Sequence, residues 1–277
     1  MDQGHLEGIL KEWYKLKEAL TNGETDGLSL EEIVHKYTFP NNFNQIINGT
    51  GDLFKLDSNK IGPIYKARKF KVDLCDPCVM ITTQNYAKNH NRMNPPGRAF
   101  NYFGVLPENK GPREDVAKKL ILNTIKAEIR ATSGETITLC RFETPKNLKV
   151  FNMYPHEAVP TNFDIFFKSI QTKSDSFTGN YKTRQKKIAY HVSEMFAKYF
   201  FNLMNSEEIF KPVDFEGEEE RAKEYAPFQF LASYIESLGY EGIKYRSTVN
   251  DRGANLVIFE PSNLKVITNT MKHIKIE

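Results

Sequence analysis

Two arginines, a tyrosine, a glutamate and a serine, scattered along residues 68–247, are candidate side chains for binding and transforming a charged ligand. They are Arg68, Arg92, Tyr102, Glu128 and Ser247. Arginine presents a planar fork of donors to phosphate groups and stays charged. A carboxylate stabilises positive charge that develops on a reacting carbon, and a tyrosine stacks on flat rings. This combination suits a ligand that carries both phosphates and a cationic ring.

Each of these residues also has an ordinary structural explanation when taken alone. A single arginine is most often part of a surface ion pair, and Glu128 would be an exposed helix glutamate. Tyr102 would be a core tyrosine, and Ser247 would cap the strand that precedes it. We assign ligand binding rather than nucleophilic attack to Ser247, because the sequence contains no legible Ser-His-acid arrangement.

The segment Asn94-Pro95-Pro96-Gly97 follows Arg92 closely and predicts a rigid turn. The prolines fix φ, and Gly97 permits a backbone conformation that other residues rarely adopt. Such a turn allows the backbone to come close to a ligand. A plain tight loop is the alternative interpretation.

Other motifs give weaker indications. Cys75 and Cys78 have the spacing of a zinc or redox pair, but only Cys140 and His90 could add ligands to them. We interpret the pair as part of a β-turn and expect no metal.

His191 is predicted to be a hydrogen-bonded structural histidine, with general base as the alternative. Glycine-rich dinucleotide and P-loop motifs and the His-Glu-x-x-His pattern are absent, so Rossmann, P-loop and zinc-protease enzymes are not supported.

The composition is that of a globular protein. The 277 residues are 40% hydrophobic and 26% charged, with a formal net charge of only +3. This charge does not indicate direct nucleic-acid binding, and the basic run at residues 184–187 is predicted to be a solvated helix start. No apolar run approaches the roughly 20 residues of a membrane span.

The cellular location is predicted from the N-terminus and the cysteines. The first residues lack the charged-then-apolar pattern of a secretory signal, and three cysteines do not form a disulfide framework. We therefore expect a cytoplasmic protein.

Helical patterns dominate the first ~55 residues. Apolar side chains recur at helical spacing over residues 2–21, and Ser29 with Glu32 forms a capping-box pattern for a second helix. Phe39-Pro40 is predicted to end that second helix. The N-terminal region is thus expected to be a helical hairpin.

Strands and helices are mixed without regular alternation in the remaining chain, which predicts an α+β fold. Strands are predicted at residues 64–72, 79–83, 136–143, 148–153, 243–246, 255–260, 264–267 and 273–276. Helices are predicted at residues 115–130, 163–170, 187–203 and 225–238, with an acidic connector at 215–221.

Four segments, taken in order, resemble the RES-domain family, which is named for its Arg, Glu and Ser. The resemblance covers roughly residues 60 to 268. The segments are Tyr65-Lys66-Ala67-Arg68; Arg92-Met93-Asn94-Pro95-Pro96-Gly97 with Asn101-Tyr102-Phe103; Ala127-Glu128-Ile129-Arg130 with a following strand pair; and residues 239–247 with 253–261.

This resemblance implies an ADP-ribosyltransferase-like fold, in which a split β-sheet core is flanked by helices. Members of the family break the nicotinamide–ribose bond of NAD with water or inorganic phosphate as acceptor, and some modify a protein instead. Many are toxins that pair with a helix-turn-helix antitoxin. By resemblance, NAD is a substrate of this chain and no metal is needed.

The resemblance also implies the site residues. Glu128, Arg68 and Tyr102 fall on catalytic positions. The binding positions are Arg92, Ser247, Arg246, Asn255 and Tyr65.

The chain departs from the family pattern in three places. It has an N-terminal helical region, residues 1–58, before a catalytic domain at residues 59–277. It also has an extended stretch at residues 108–124 and a helical insertion near 163–220. These additions leave the antitoxin contact surface and any homo-oligomer undetermined.

Two further functions stay open from the sequence. The same residues could transfer ADP-ribose to a macromolecule, which labelled product would reveal. The chain could also be a non-catalytic NAD- or nucleotide-binding module, although all the polar positions are present.

Overall fold

The computed structural model describes residues 3–106, 114–154, 160, 162–205, 208–210, 217–250 and 253–277. The chain divides into two compact units. The first combines Met1–Phe54 with Pro155–Lys211, and the second combines Lys55–Tyr154 with Pro212–Glu277.

The helices in the described residues are α1 (Gln3–Thr21), α2 (Leu30–Lys36), α3 (Thr38–Thr50), α4 (Glu114–Glu128), α5 (Phe163–Asp175), α6 (Tyr181–Met204) and α7 (Glu218–Ser237). The strands are β1 (Lys55–Asp57), β2 (Ile64–Arg68), β3 (Asn101–Val105), β4 (Thr136–Glu143), β5 (Lys149–Asn152), β6 (Gly242–Arg246), β7 (Ala254–Ile258) and β8 (Lys265–Lys275). None of these helices combines the length and apolar character needed to cross a membrane.

Aromatic side chains form the core of the first unit. Phe39 lies 5.0 Å from Trp13 and 5.5 Å from Phe200, measured between ring centroids. Phe166 stacks on Tyr199 at 4.7 Å. These contacts join α1, α3, α5 and α6 through offset and edge-on rings, the geometries that aromatic quadrupoles favour.

The N-terminal region contains three helices rather than the predicted hairpin. The capping box of Ser29 and Glu32 is present, as predicted. However, α2 ends at Lys36, and Pro40 lies inside the first turn of α3 instead of ending a helix. Proline is tolerated in a first turn because those N–H groups have no intrahelical acceptor.

The second unit is built on an eight-stranded sheet in the order β1-β5-β6-β7-β3-β2-β4-β8. β5 and β6 are parallel, whereas the other neighbouring pairs are antiparallel. The predicted α+β class is therefore confirmed.

The eight-stranded sheet is continuous, but the pairing between β2 and β3 is short, and we refer to this junction as the split of the sheet. These strands meet through the register pair Tyr65–Gly104, whereas β2 pairs with β4, and β3 with β7, over five register pairs each. Only one register pair joins β2 and β3, so the pairing between neighbouring strands of this sheet is shortest there.

Helix α4 packs against β2 and β3 beside this split. Gly104 makes the close approach possible, because a Cβ atom there would lie 2.6 Å from Cγ1 of Ile125. The absence of a side chain on β3 thus sets the position of α4, whose last residue is Glu128.

Two strand predictions were wrong. The segment at residues 79–83 is not a strand, because a 3-10 turn at Pro77–Met80 begins with Pro77 and is capped by the Asp76 side chain. The two short strands predicted at 264–267 and 273–276 are one strand, β8, which crosses an irregularity in its pairing with β4 between Leu139 and Arg141.

Helix α7 begins earlier than predicted. Residues 218–221 were assigned to an acidic connector, but they form the first turn of α7, with Glu218, Glu219 and Glu220. Acidic side chains are favourable there because the helix N-terminus carries partial positive charge. Residues 215 and 216 of the predicted connector lie outside the described residues.

Candidate active site

A cleft of about 540 Å³ opens in the second unit where the sheet splits. This volume falls in the usual range for small-molecule sites. Six of the eight residues predicted from the sequence line it, namely Tyr65, Arg68, Arg92, Tyr102, Glu128 and Asn255. Ser247 and Arg246 do not line it.

The Glu128 carboxylate is held by one side chain from β7 and one from the residue that follows β6. Its Oε1 accepts a hydrogen bond of 2.7 Å from the Ser247 hydroxyl and another from Nδ2 of Asn255. Within the described part of the chain, Oε2 has no hydrogen-bond donor, and the side chain is exposed. One carboxylate oxygen is therefore fixed by the protein, and the other can meet a ligand.

Ser247 is a positioning residue in this arrangement. Its side chain is buried, and its oxygen accepts backbone N–H groups from Val249 and Asn250 at 3.4 and 3.2 Å. Asn250 in turn donates to Oγ1 of Thr124 on α4 at 2.9 Å. The loop after β6 is thus tied to the helix that carries Glu128.

The Tyr102 hydroxyl anchors the proline-containing loop. It donates to Oδ1 of Asn94 at 2.6 Å and accepts the Met93 backbone N–H at 3.1 Å. Burial raises the pKa of Tyr102 well above its usual value of 10. The phenol is therefore a neutral anchor for the turn, whose Gly97 has the predicted positive φ, at 84°.

Arg92 contacts two aromatic rings of α7. Its guanidinium lies 5.0 Å from the centroid of Phe228 and 5.6 Å from that of Tyr225, and Nη2 donates to Oγ1 of Thr248 at 3.3 Å. Aromatic faces attract cations, so α7 orients this arginine. Tyr225 also lines the cleft, and sequence reasoning missed it.

Helix α7 also holds the backbone of the Arg92 loop. Nε2 of Gln229 donates to the carbonyl oxygens of Asn91 and Asn94 at 2.9 and 3.2 Å. Arg98 and Glu236 form an ion pair of 2.5 Å. A helix outside the resembling segments therefore positions one of the two predicted arginines.

Lys66 and Tyr245 line the cleft as well, and neither was predicted. Lys66 precedes Arg68 by two residues, so alternation along β2 places both on one face of the sheet. That period-two spacing was the signal available in the sequence. Tyr245 immediately precedes Arg246, which was chosen instead.

The ionisable groups of the cleft fall into two sets. Burial raises the pKa of Tyr245 well above 10, the Glu128 carboxylate raises it further, and Arg92 lowers it. Burial and then the Arg68 guanidinium lower the pKa of Lys66. Arg92 and Glu128 therefore shift the pKa values of Tyr102 and Tyr245, whereas Arg68 shifts the pKa of Lys66.

The cysteine motif lies in a turn, as interpreted. The backbone N–H groups of Cys75 and Cys78 donate to the carboxylates of Asp73 and Asp76, at 2.9 and 3.0 Å, and both thiols are exposed. In the ranges that the structure describes, no group of three or more His, Cys, Asp or Glu side chains is arranged to hold a metal ion.

His191 was predicted to be a hydrogen-bonded structural histidine, and the structure does not show that hydrogen bond at its Nε2 in the part of the chain that it describes. Its ring packs edge-on against Phe177, with centroids 5.7 Å apart. Its Nε2 is buried and has no hydrogen-bond partner among the described residues. His191 belongs to the first unit and does not line the cleft.

Comparisons with known proteins give limited similarity. No protein-family model matches the chain, and no curated protein matches it. One solved structure with detectable similarity is the crystal structure of the M. tuberculosis MbcT–MbcA toxin–antitoxin complex. The alignment with one of its chains has 10% identity and a TM-score of 0.35, and it covers 83% of this chain and 91% of that chain. A similarity of this size is not evidence of shared chemistry.

Proposed function

We propose that the protein is an enzyme that cleaves the nicotinamide–ribose bond of NAD, with water or inorganic phosphate as the acceptor. The observation that supports this most directly is the Glu128 carboxylate, fixed through Oε1 by Ser247 and Asn255, in a cleft that Arg68, Arg92 and Tyr102 also line. Two guanidinium groups suit the pyrophosphate, and a single carboxylate suits a cationic ribosyl group.

In this reaction the electron pair of the glycosidic C–N bond moves to the ring nitrogen, and neutral nicotinamide leaves. The positive charge that remains on the ribose C1 and ring oxygen is stabilised by the Glu128 carboxylate. The oxygen of water or phosphate then bonds to C1, and an attacking water loses its proton to Oε2 of Glu128. Little acid catalysis is required because the leaving group departs uncharged.

Positioning supplies most of the rate enhancement in this proposal. Arg92 is oriented by Tyr225 and Phe228, and its loop is anchored by Tyr102. Groups that are held in place before the substrate binds need no rearrangement in the transition state.

Mass analysis of the products of NAD, incubated with purified protein with and without phosphate, tests the proposal. ADP-ribose indicates hydrolysis, and ADP-ribose phosphate indicates phosphorolysis. If labelled NAD is used, covalent attachment of labelled ADP-ribose to a macromolecule would favour ADP-ribosyl transfer instead. Tight NAD binding without nicotinamide release, unchanged in Glu128→Ala, would favour a non-catalytic binding module and contradict the proposal.

We propose in addition, from the resemblance of the four sequence segments, that the enzyme acts in the cytoplasm as the toxin of a toxin–antitoxin pair. NAD loss would then arrest growth until a helix-turn-helix antitoxin binds. Expression in a bacterial host should lower cellular NAD and stop growth, and Glu128→Gln should abolish both effects. Growth arrest by Glu128→Gln with normal NAD would contradict this role.

A further inference from the structure

Lys66 is a buried lysine in the wall of the cleft. Only 7% of its surface is exposed, although lysine is among the residues that proteins bury least readily. Its Nζ donates to Oγ1 of Thr82 at 2.8 Å and to Oδ1 of Asn101 at 2.5 Å. Both acceptors are neutral, so they satisfy the donors without balancing the charge.

Arg68 shares one of these acceptors. Its Nη2 donates to Oγ1 of Thr82 and to the carbonyl oxygen of Ile81, both at 3.4 Å. Its Nε is buried without a hydrogen-bond partner in the described residues. One hydroxyl therefore serves both basic side chains, and the buried Nε–H of Arg68 makes no hydrogen bond within the described residues.

No counter-ion compensates the two charges. Across the described ranges, no carboxylate oxygen lies within 4.0 Å of the charged nitrogens of Lys66 or Arg68. The Cys140 thiol lies close to both, but burial raises its pKa to about 12, so it is neutral at physiological pH. A half-buried guanidinium next to a buried lysine, with no anion beside them, is unfavourable when the lysine is protonated, and a bound anion would stabilise both charges.

We propose that Lys66, Arg68 and Thr82 form a subsite for a phosphate group. A phosphate offers several acceptor oxygens and one to two negative charges, which match two cations and a hydroxyl. Lys66, Arg68 and Thr82 line the same cleft as Glu128, so a phosphate in the subsite would share this cavity with the ribose that the carboxylate would meet.

The identity of that phosphate depends on the proposed NAD-cleaving function. It is either the pyrophosphate of the dinucleotide or the inorganic phosphate that accepts the ribosyl group. The two sources share the same recognition chemistry, and kinetics distinguish them. Phosphate should inhibit nicotinamide release competitively if the subsite holds the pyrophosphate. Phosphate should accelerate release and appear in the product if the subsite holds the acceptor.

Calorimetric titration of the full chain with inorganic phosphate and with pyrophosphate tests the subsite directly. We expect Lys66→Met to weaken the binding of at least one of these anions about tenfold or more. The matched control Lys71→Met removes an exposed lysine from the same region and should change affinity less than twofold. Thr82→Val removes the shared hydroxyl without changing charge, and it should also weaken anion binding. This variant provides the test if Lys66→Met does not fold.

The two proposals can fail separately. Equal anion affinity in the wild type, Lys66→Met and Thr82→Val, or no measurable binding to the wild type, would overturn the subsite. Anion binding that depends on Lys66, without any nicotinamide release from NAD, would support the subsite and contradict only the NAD-cleaving function.

Discussion

The Ser247 hydroxyl donates a hydrogen bond of 2.7 Å to the Glu128 carboxylate across 119 residues of sequence. Glu128 ends α4, and Ser247 follows β6. The contact therefore links a helix end to a strand end and selects one orientation of the carboxylate. In the proposed reaction, a buried serine outside the cleft lining would thus orient the carboxylate that meets the ribose.

Removal of this hydroxyl should lower catalysis more than binding. We expect Ser247→Ala to reduce nicotinamide release from NAD about 100-fold, because small displacements of a reacting group have effects of that order. NAD affinity, measured by calorimetry, should change less than about threefold. Ser262→Ala alters an exposed serine and should behave as wild type. Unchanged release by Ser247→Ala would refute the positioning role.

Neutralisation of the carboxylate should be more severe. Glu128→Gln keeps an oxygen that can accept from Ser247 but loses the negative charge, so we expect nicotinamide release to fall by about 10²–10³. Thermal stability should not decrease, because the side chain is exposed. Glu143→Gln, an exposed glutamate on β4, is the control. Comparable rates in both variants would exclude Glu128 from catalysis.

Loss of the Tyr102 hydroxyl should loosen the Arg92 loop. In Tyr102→Phe, buried Oδ1 of Asn94 and the Met93 N–H lose their partner. We expect the free energy of unfolding in urea to fall by about 1–3 kcal/mol. The KM for NAD should rise about tenfold, because Arg92 is less well placed. Tyr190→Phe removes an exposed hydroxyl and should have no effect.

A methyl group at position 104 should displace α4. Gly104→Ala places a Cβ atom 2.6 Å from Ile125, so strand and helix must separate. We expect a loss of about 1–3 kcal/mol in the free energy of unfolding, together with reduced nicotinamide release. Gly8→Ala is the control, because no atom lies within 4 Å of its Cβ and alanine favours helices. Equal stability of the two variants would contradict this packing argument.

Burial of the Lys66 amine should cost stability at neutral pH. Burial holds its pKa in the folded protein well below 10.5, the value that applies to the unfolded chain. Between these two pKa values the unfolded chain binds more protons, so wild-type stability rises with pH. Lys66→Met removes this penalty, while Oδ1 of Asn101 still accepts the Thr82 N–H.

We therefore expect the thermal midpoint of Lys66→Met to exceed that of the wild type by about 2–4 °C at pH 7, corresponding to roughly 1 kcal/mol. The advantage should shrink as the pH approaches 10.5. Thermal melts at pH 7 and pH 10 measure both effects. A variant that is less stable at pH 7, or a difference that does not change with pH, would contradict the interpretation.

Local sequence patterns determined much of the secondary structure, and the resemblance of four segments supplied the candidate site residues. The capping box at Ser29, the helical periodicity of α1 and the alternation in β2 depend on neighbouring residues, so spacing alone predicts them. Six of the eight predicted site residues line one cleft. Prediction from local patterns was wrong where a residue is compatible with two conformations. Pro40, for example, can follow the end of one helix or lie in the first turn of the next.

Tertiary structure decided which of these residues meet. The split between β2 and β3, the bond from Ser247 to Glu128 and the burial of Lys66 beside Arg68 depend on contacts between segments that are distant in the chain. Desolvation and hydrogen-bond geometry exist only after those segments pack. For this reason the sequence determined which chemical groups are available, and the fold determined which charges remain unbalanced and where a ligand would meet them.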